Sequence, residues 1–292
     1  MAAETRRAAD LELALGAAHA AGVVVMETFG TDPEVRHKGP DQPVTEADLA
    51  ADALLRERLM GARPGYGWLS EESVDRPDRL ERSRVWVVDP VDGTRSFIQG
   101  YREFAVSVAL AEAGRPVVGV IYNPAADHVV WGTAGGGAWS VEGWSGELEV
   151  GGEGSMAGAL CLDARTAPED TLLASRSERK AGEFEAFEAG WTIREVGSTA
   201  WKLAGAAMGW GAYISRGPKS EWDVAAGVLI VGEAGGVVTD MDGNAITFNR
   251  PRPYVHGVVA ARPAVHGPLV GRARTLPAPR LDREAWTGDE EG

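Results

Sequence analysis

The chain has 292 residues, with 44% hydrophobic and 25% charged, enough for one large domain or two ordinary ones with a substantial core. Asp plus Glu number 43 against 29 Lys plus Arg, a net charge of −14, which excludes a general nucleic-acid-binding face and requires local cations wherever an anionic substrate binds. A single cysteine, Cys161, excludes an intrachain disulfide, argues against a cysteine zinc site and suits a reducing compartment.

The first predicted element is a helix over 8–29, stopped by Gly30. Arg6-Arg7 before ALGAAHAAGVVVM superficially resemble an export signal. Asp10, Glu12 and His19 interrupt the apolar run, however, and no small-residue cleavage site follows. Leu11, Leu15, Ala18 and Val25 fit one face of an amphipathic helix, and no stretch reaches the ~18–20 apolar residues of a membrane span. The expectation is a cytoplasmic chain with no membrane partner. RHKGPDQP (36–43) reads as a polar loop. Thr45-Glu46-Ala47-Asp48 matches a capping box and opens a helix to about Met60, with Ala51, Leu55 and Leu59 inward. Trp68-Leu69 reads as a short strand ending at SEES (70–73). VWVV (85–88) reads as a strand buried on both faces, running straight into DPVDGTRSF (89–97).

Residues 104–124 carry a hairpin signature around the turn at 112–116, and HVVWGTAGGGAW continues as strand, turn and strand. Together they predict an antiparallel meander over 104–150, with a glycine-rich boundary at 151–158. LLASRS and WTIREV then predict strands around a helix at 178–190. GSTAWKLAGAAMGW (197–210) predicts a helix opened by Ser198, and GAYISR a strand. WDVAAGVLIVGEAGG (222–236) predicts a helix closed by Gly235-Gly236. Strands VVTDMDG and HGVVAAR follow. The predicted organisation is an N-terminal half (1–150), a C-terminal half (151–272) and a flexible tail (273–292). Helix pairs alternating with sheets predict a layered α/β or α+β sandwich.

Acidic residues collect at element ends. Asp48 lies at a helix start, Glu71 and Glu72 end a strand, Asp89 and Asp92 follow VWVV, and Asp223 opens a helix. Each has a plain reading: a capping box for Asp48, loop charge for Glu71 and Glu72, a dipole complement for Asp223. DPVD is more specific. Two carboxylates so close repel unless a cation lies between them, and Pro90 fixes φ and offers no N–H. Their carboxylates and the Val91 carbonyl can converge on one point, the oxygen set a hard divalent ion such as Mg²⁺ takes. If a helix starts at Gly93-Thr94, its free N–H groups make a phosphate seat. Metal ligands beside such a seat imply metal-assisted phosphoryl transfer. Thr94 and Asp48, if the fold joins them, can orient and deprotonate an attacking water.

VTEAD (44–48), SEES (70–73), DPVDGT (89–94) and WDVAAGVLIVGEAGG (222–236) together resemble, in order and spacing, the inositol monophosphatase superfamily of Mg²⁺-dependent, lithium-sensitive phosphatases. The resemblance covers roughly residues 8–270. It implies an α-β-α-β-α sandwich, usually dimeric, with two or three Mg²⁺ ions, Mn²⁺ being an alternative. Carried over by position, Glu71, Asp89 and the Val91 carbonyl hold a first ion, with Glu71 also assisting a third through water. Asp89, Asp92 and Asp223 hold a second. Asp48 and Thr94, with Glu71, form the catalytic group that activates water for in-line attack on phosphorus. Gly93 and Thr94 amides seat the phosphate, with Ser198 and Arg216 as further candidate substrate contacts. The five histidines are scattered, and none is needed as a nucleophile.

For the substrate, inositol-specific members carry a carboxylate a few residues before the Trp-Asp pair, to hold ring hydroxyls. Arg216 stands at about that place, which suits a second phosphate, unless it merely pairs with a surface acid. SRSE (175–178), GPKSEWD (217–223) and EFAVSVALAEAGRPVVGVIYNP (103–124) look like bacterial 3′(2′),5′-bisphosphate nucleotidases. DGTRSF departs from the DGTKEF common there and approaches the DGTKSF of histidinol-phosphate phosphatases. The expectation is a phosphomonoesterase acting on a small phosphate ester, 3′-phosphoadenosine 5′-phosphate first, with inositol-1-phosphate or histidinol phosphate as alternatives and a non-catalytic regulatory relative as the remote one. Trp139, Trp201 or Tyr213 could stack on adenine, against a plain core reading.

Overall fold

The computed structural model describes residues 2–39, 42–144, 146 and 159–279. Helix α1 (Ala2–Met26) leads to β1 (Val35–Gly39) and β2 (Gln42–Thr45), which pair antiparallel. The capping box at Thr45 and Asp48 is present and starts α2 (Glu46–Ala62). β3 (Gly67–Ser70) and β4 (Arg84–Asp92) run parallel, with Trp68 opposite Trp86. After the short α3 (Thr94–Ile98) come β5 (Ala105–Glu112), β6 (Arg115–Asn123), β7 (His128–Thr133), β8 (Ala138–Glu142) and β9 (Leu160–Cys161). The predicted meander is therefore real, and it completes a seven-stranded sheet in the order β3 to β9. The glycine-rich stretch at 151–158 lies outside the described residues.

The second half runs β10 (Thr171–Ala174), α4 (Arg176–Lys180), β11 (Thr192–Glu195), α5 (Thr199–Ala207), β12 (Ala212–Ser215), β13 (Lys219–Ser220), α6 (Glu221–Glu233), β14 (Val237–Thr239), β15 (Tyr254–Val255), β16 (Val258–Ala261) and α7 (Pro263–Arg274). β11-β10-β12-β16-β14 form a second sheet, and β13 pairs with β15.

Strand alternation builds the layers, because successive side chains point to opposite faces. In β4, Trp86 and Val88 pack under α1 and α2, while Val85 and Val87 face α5 and α6. In β16, Val258 and Ala260 face α5 and α6 from the other side, while Val259 and Ala261 face α7. The result is an α-β-α-β-α sandwich. Each fully buried Val, Leu or Phe contributes roughly 1.5–3 kcal/mol. Gly119 lets α6 lie directly on the first sheet: a Cβ there would come within 2.8 Å of the Ala226 carbonyl oxygen.

Four expectations need correction. The helix at 178–190 is two pieces, α4 and a single 3₁₀ turn at Glu185–Phe187, separated by Gly182 at φ 81°. Phe184 and Phe187 both face the third core layer, and their three-residue spacing imitates a helix. The stretch 36–43, read as a polar loop, instead carries β1 and β2, which pair antiparallel. Of the segment read as a tail, residues 273 and 274 end α7, and residues 280–292 lie outside the described residues. Finally, Glu4–Met26 is long and apolar enough, by length and composition, to cross a membrane. Half of its most apolar window is buried inside the protein, because Leu11, Leu15, Ala18 and Val25 face the first sheet as the periodicity predicted.

Candidate functional site

The site forms where four element ends meet. β3 and β4 are parallel, so their C-terminal ends emerge together: Ser70 is opposite Val88, and the Glu71 N–H donates to the Val88 carbonyl at 3.3 Å. Glu71, just past the end of β3, thus lies beside Asp89 of β4, which still pairs with Ser107 of β5. α2 fixes the SEES loop from one face, since Asp52, one turn after Asp48, accepts from Ser70 Oγ at 2.5 Å and Ser73 Oγ at 2.6 Å. In DPVD the ladder with β5 shifts register between Asp89, opposite Ser107, and Asp92, opposite Ala105. Such an irregularity bends the strand and re-aims its side chains. The Val91 N–H donates to Asp89 Oδ1 at 3.0 Å. Asp223 arrives from α6, whose Trp222 carbonyl accepts from Ser107 Oγ at 3.3 Å, beside Asp89.

Glu71, Asp89 and Asp223 consequently each offer a carboxylate oxygen, all within 4.8 Å of one another. Three hard oxygen donors so close can hold a divalent cation, and without one they repel. Burial and the charges of Glu71, Asp92 and Asp223 push Asp89 well above the ordinary carboxylate range. Burial also raises Glu71, with Lys38 opposing. Burial, then Glu71, pushes Glu72 to about 7.

Asp48 is buried, and close enough to Glu71 for its charge to raise that carboxyl. Its Oδ2 accepts from the Thr45 N–H at 2.8 Å and Thr45 Oγ1 at 2.5 Å, and Oδ1 from Thr94 Oγ1 at 2.9 Å. Burial raises its pKa against those hydrogen bonds. Thr94 Oγ1 also lies 3.0 Å from the Val91 carbonyl, and one hydroxyl proton can serve only one of the two acceptors. α3 does start after Gly93, which caps it at φ 98°.

Asp92 is not one of the three clustered carboxylates. Its Oδ2 accepts from Ser198 Oγ and from the Ala200 N–H at the start of α5. Ser198, a candidate substrate contact, has its hydroxyl engaged with Asp92 and caps the helix at the Trp201 N–H, 2.9 Å away. Arg216, the other candidate substrate contact, is also engaged. Its guanidinium pairs with Glu183 at 2.5 Å and donates to the Pro277 carbonyl, so it is bound within the second half of the fold. In RSF after DGT, Ser96 and Phe97 are buried, Phe97 edge-on to Phe104 at 5.2 Å, whereas Arg95 is exposed. Trp201 and Tyr213 are buried in the middle layer, the core reading, and Trp139, partly buried, donates Nε1 to the Gly136 carbonyl at 3.0 Å.

Two lysines escaped the sequence reading. Lys38 of β1 reaches Glu71 at 3.0 Å and Glu72 at 2.7 Å; it sits in a stretch that looks like any polar loop. Lys202 is buried in α5, and its signal is a lysine inside the apolar run TAWKLAGAA. Because the Lys38 ammonium already pairs with Glu71 and repels a second cation there, Lys38→Ala is expected to lower the half-saturating Mg²⁺ concentration about threefold. A Mg²⁺ titration of activity checks it, and a weaker requirement in the wild type would reverse the assignment.

An α-β-α-β-α sandwich with clustered carboxylates at element ends defines a class of metal-assisted phosphatases. The sequence profile of the inositol monophosphatase family matches residues 7–276. The chain is 36% identical to an inositol-1-monophosphatase of Mesorhizobium japonicum over 250 residues, 81% of this chain and 87% of the relative. It is 34% identical to the 3′(2′),5′-bisphosphate nucleotidase CysQ of Salmonella typhimurium over 251 residues, 84% of this chain and 96% of the relative. Among solved structures, the extragenic suppressor protein suhB of Bartonella henselae superposes with a TM-score of 0.71 at 31% identity, over 89% of this chain and 96% of that one. The chain belongs to the inositol monophosphatase family and is a phosphoric monoester hydrolase of small phosphate esters. The family is generally Mg²⁺-dependent, and the Glu71, Asp89 and Asp223 group fits such an ion.

Proposed function

We propose that the chain hydrolyses a small phosphate monoester at the cluster of Glu71, Asp89 and Asp223, with Asp92 and the Val91 carbonyl completing sites for two or three Mg²⁺ ions, Mn²⁺ being an alternative. The observation that carries the reading is the convergence of those three carboxylates within 4.8 Å, together with a Thr94–Asp48 hydrogen bond of 2.9 Å. Bound ions would neutralise phosphate charge and acidify a nearby water. The chain's own part is proton transfer and positioning. Thr94 Oγ1 accepts a proton from water while donating its own to Asp48, and a carboxylate whose pKa burial has raised is a suitable acceptor. Glu71 orients the same water. The Gly93 and Thr94 amides receive the phosphate, residues 1–150 supply most of the ligands, and 151–272 supply Asp223 and the substrate wall. The reading carries with it a cytoplasmic homodimer acting on a metabolite, not a nucleic-acid polymer.

Within that class, 3′-phosphoadenosine 5′-phosphate is the preferred substrate. Arg216 lends it no support, being tied to Glu183. Support comes from the 34% identity to a bisphosphate nucleotidase over 96% of its length. It also comes from the engagement of the carboxylate that follows position 216: Glu221 is spent on the Asn249 and Arg250 amides, at 2.6 and 3.1 Å. The 36% identity to an inositol-1-monophosphatase favours inositol-1-phosphate as the second reading. Comparison of kcat/KM for the nucleotide, inositol-1-phosphate, histidinol phosphate and fructose-1,6-bisphosphate, with and without Mg²⁺ and with excess Li⁺, decides. The nucleotide is expected to rank first, with no turnover after chelation. Inositol-1-phosphate ranking first would replace it, and metal-independent turnover would end the mechanism.

A further inference from the structure

Lys202 is only 2% exposed, yet its hydrogen bonds go to carbonyls rather than to a carboxylate. Its Nζ donates to the Ser198 carbonyl at 2.6 Å and the Val196 carbonyl at 3.3 Å, the two carbonyls either side of Gly197. The Ser198 carbonyl also receives the Lys202 backbone N–H at 3.3 Å. The same side chain therefore ties the first turn of α5 to the loop that precedes it.

That loop needs a tie. Ser198 sits at φ 60°, ψ 134°, a conformation that costs a non-glycine residue on the order of 1–3 kcal/mol unless its surroundings enforce it. The conformation has a consequence next door. It places Ser198 Oγ and the Ala200 N–H together on Asp92 Oδ2, leaving the other oxygen of Asp92 without a role in the loop. Space around the turn is tight as well: a Cβ on Gly197 would come within 2.6 Å of the Glu103 carbonyl oxygen. The turn and Asp92 are thus joined by two hydrogen bonds on one carboxylate oxygen.

We propose that Lys202 is a positioning residue for Asp92, holding the Val196–Ser198 turn so that Ser198 and Ala200 aim the Asp92 carboxylate at the cluster. The inference rests on the reading of Asp92 as a metal ligand. Lys219 supplies a natural comparison. It is also a buried lysine near Asp92, but its hydrogen bond is to Glu178, at 3.3 Å, and it does not touch the turn. Removing either lysine removes one buried positive charge, whereas only Lys202 removes the tie.

The test is Mg²⁺ binding to the metal-stripped full-length chain, followed by calorimetry, with the thermal unfolding midpoint recorded for each variant. Lys202→Met is expected to weaken Mg²⁺ binding about tenfold, the scale of a lost outer-sphere partner, and Lys219→Met no more than about twofold. Lys202→Gln, which keeps a donor for one carbonyl without the charge, is expected to recover much of the loss. A purely structural role would lower the midpoints and leave Mg²⁺ affinity of the folded chains unmoved, which overturns the proposal. Equal weakening by Lys202→Met and Lys219→Met overturns it too, because Lys219 bonds Glu178 and does not hold the turn. If Lys202→Met does not fold, Lys202→Gln against Lys219→Met decides on the same terms. A wild-type chain that binds no Mg²⁺ removes the metal reading itself, a result distinct from normal wild-type binding with unchanged variants.

Discussion

Asp89→Asn is expected to cut Mg²⁺-dependent turnover about 10³-fold, some 4 kcal/mol of transition-state stabilisation, and at the same time to stabilise the metal-free chain. Both effects have one origin. Asp89 is fully buried, and it faces Glu71, Asp92 and Asp223, all of which raise its pKa after burial itself. A carboxyl raised in the folded state is bound by a proton there at pH values where the unfolded chain has released it. Folding stability therefore falls as pH rises from the ordinary value of 3.8 toward the raised folded value. Asparagine removes that penalty and keeps the acceptor for the Val91 N–H. The variant should unfold later than the wild type in chelator at neutral pH, with the difference closing toward acid pH. Mg²⁺ reverses the ranking, because only the wild type gains from an ion bound to the native state. Thermal melts at two pH values, with and without Mg²⁺, check this. A wild type more stable than the variant in chelator would mean that the cluster is not strained by like charge.

Much of this was legible in the sequence, for reasons particular residues make plain. The carboxylates were readable because each sits at a local irregularity or element end: a capping box at Thr45 and Asp48, the end of a short strand at Glu71, a proline-marked register shift after Asp89. Those positions are local features of the chain. The layer order was readable for the same reason, since VWVV in β4 is apolar at every step and so must be covered on both faces. What the sequence hid depends on long-range partners. Arg216 looks like a free cation until Glu183, 33 residues earlier, is folded beside it. Ser198 looks like a free hydroxyl until Asp92, 106 residues earlier, accepts from it. Phe184 and Phe187 keep a helical spacing, yet Gly182 ends the helix before them.

Asp48→Asn tests the other half of the mechanism, and its signature differs from that of Asp89→Asn. The substituted amide would retain an acceptor for the Thr45 N–H, so the capping box survives in part and stability should change by no more than about 1 kcal/mol. It could no longer take a proton from Thr94. kcat is expected to fall about 10²- to 10³-fold, the contribution of a positioned base, with KM and Mg²⁺ affinity nearly constant. The acid limb of the kcat–pH profile should vanish with it, since burial raises the pKa of Asp48 and its ionised form is the one that accepts. Thr94→Val breaks the same line one atom earlier, at the 2.9 Å hydrogen bond. If the two residues act as one relay, the double variant should be barely slower than either single variant, because groups that act as a unit are not additive. Losses that multiply, or an Mg²⁺ requirement that rises in Asp48→Asn, would separate Asp48 from the proton path and return it to the role of a helix cap.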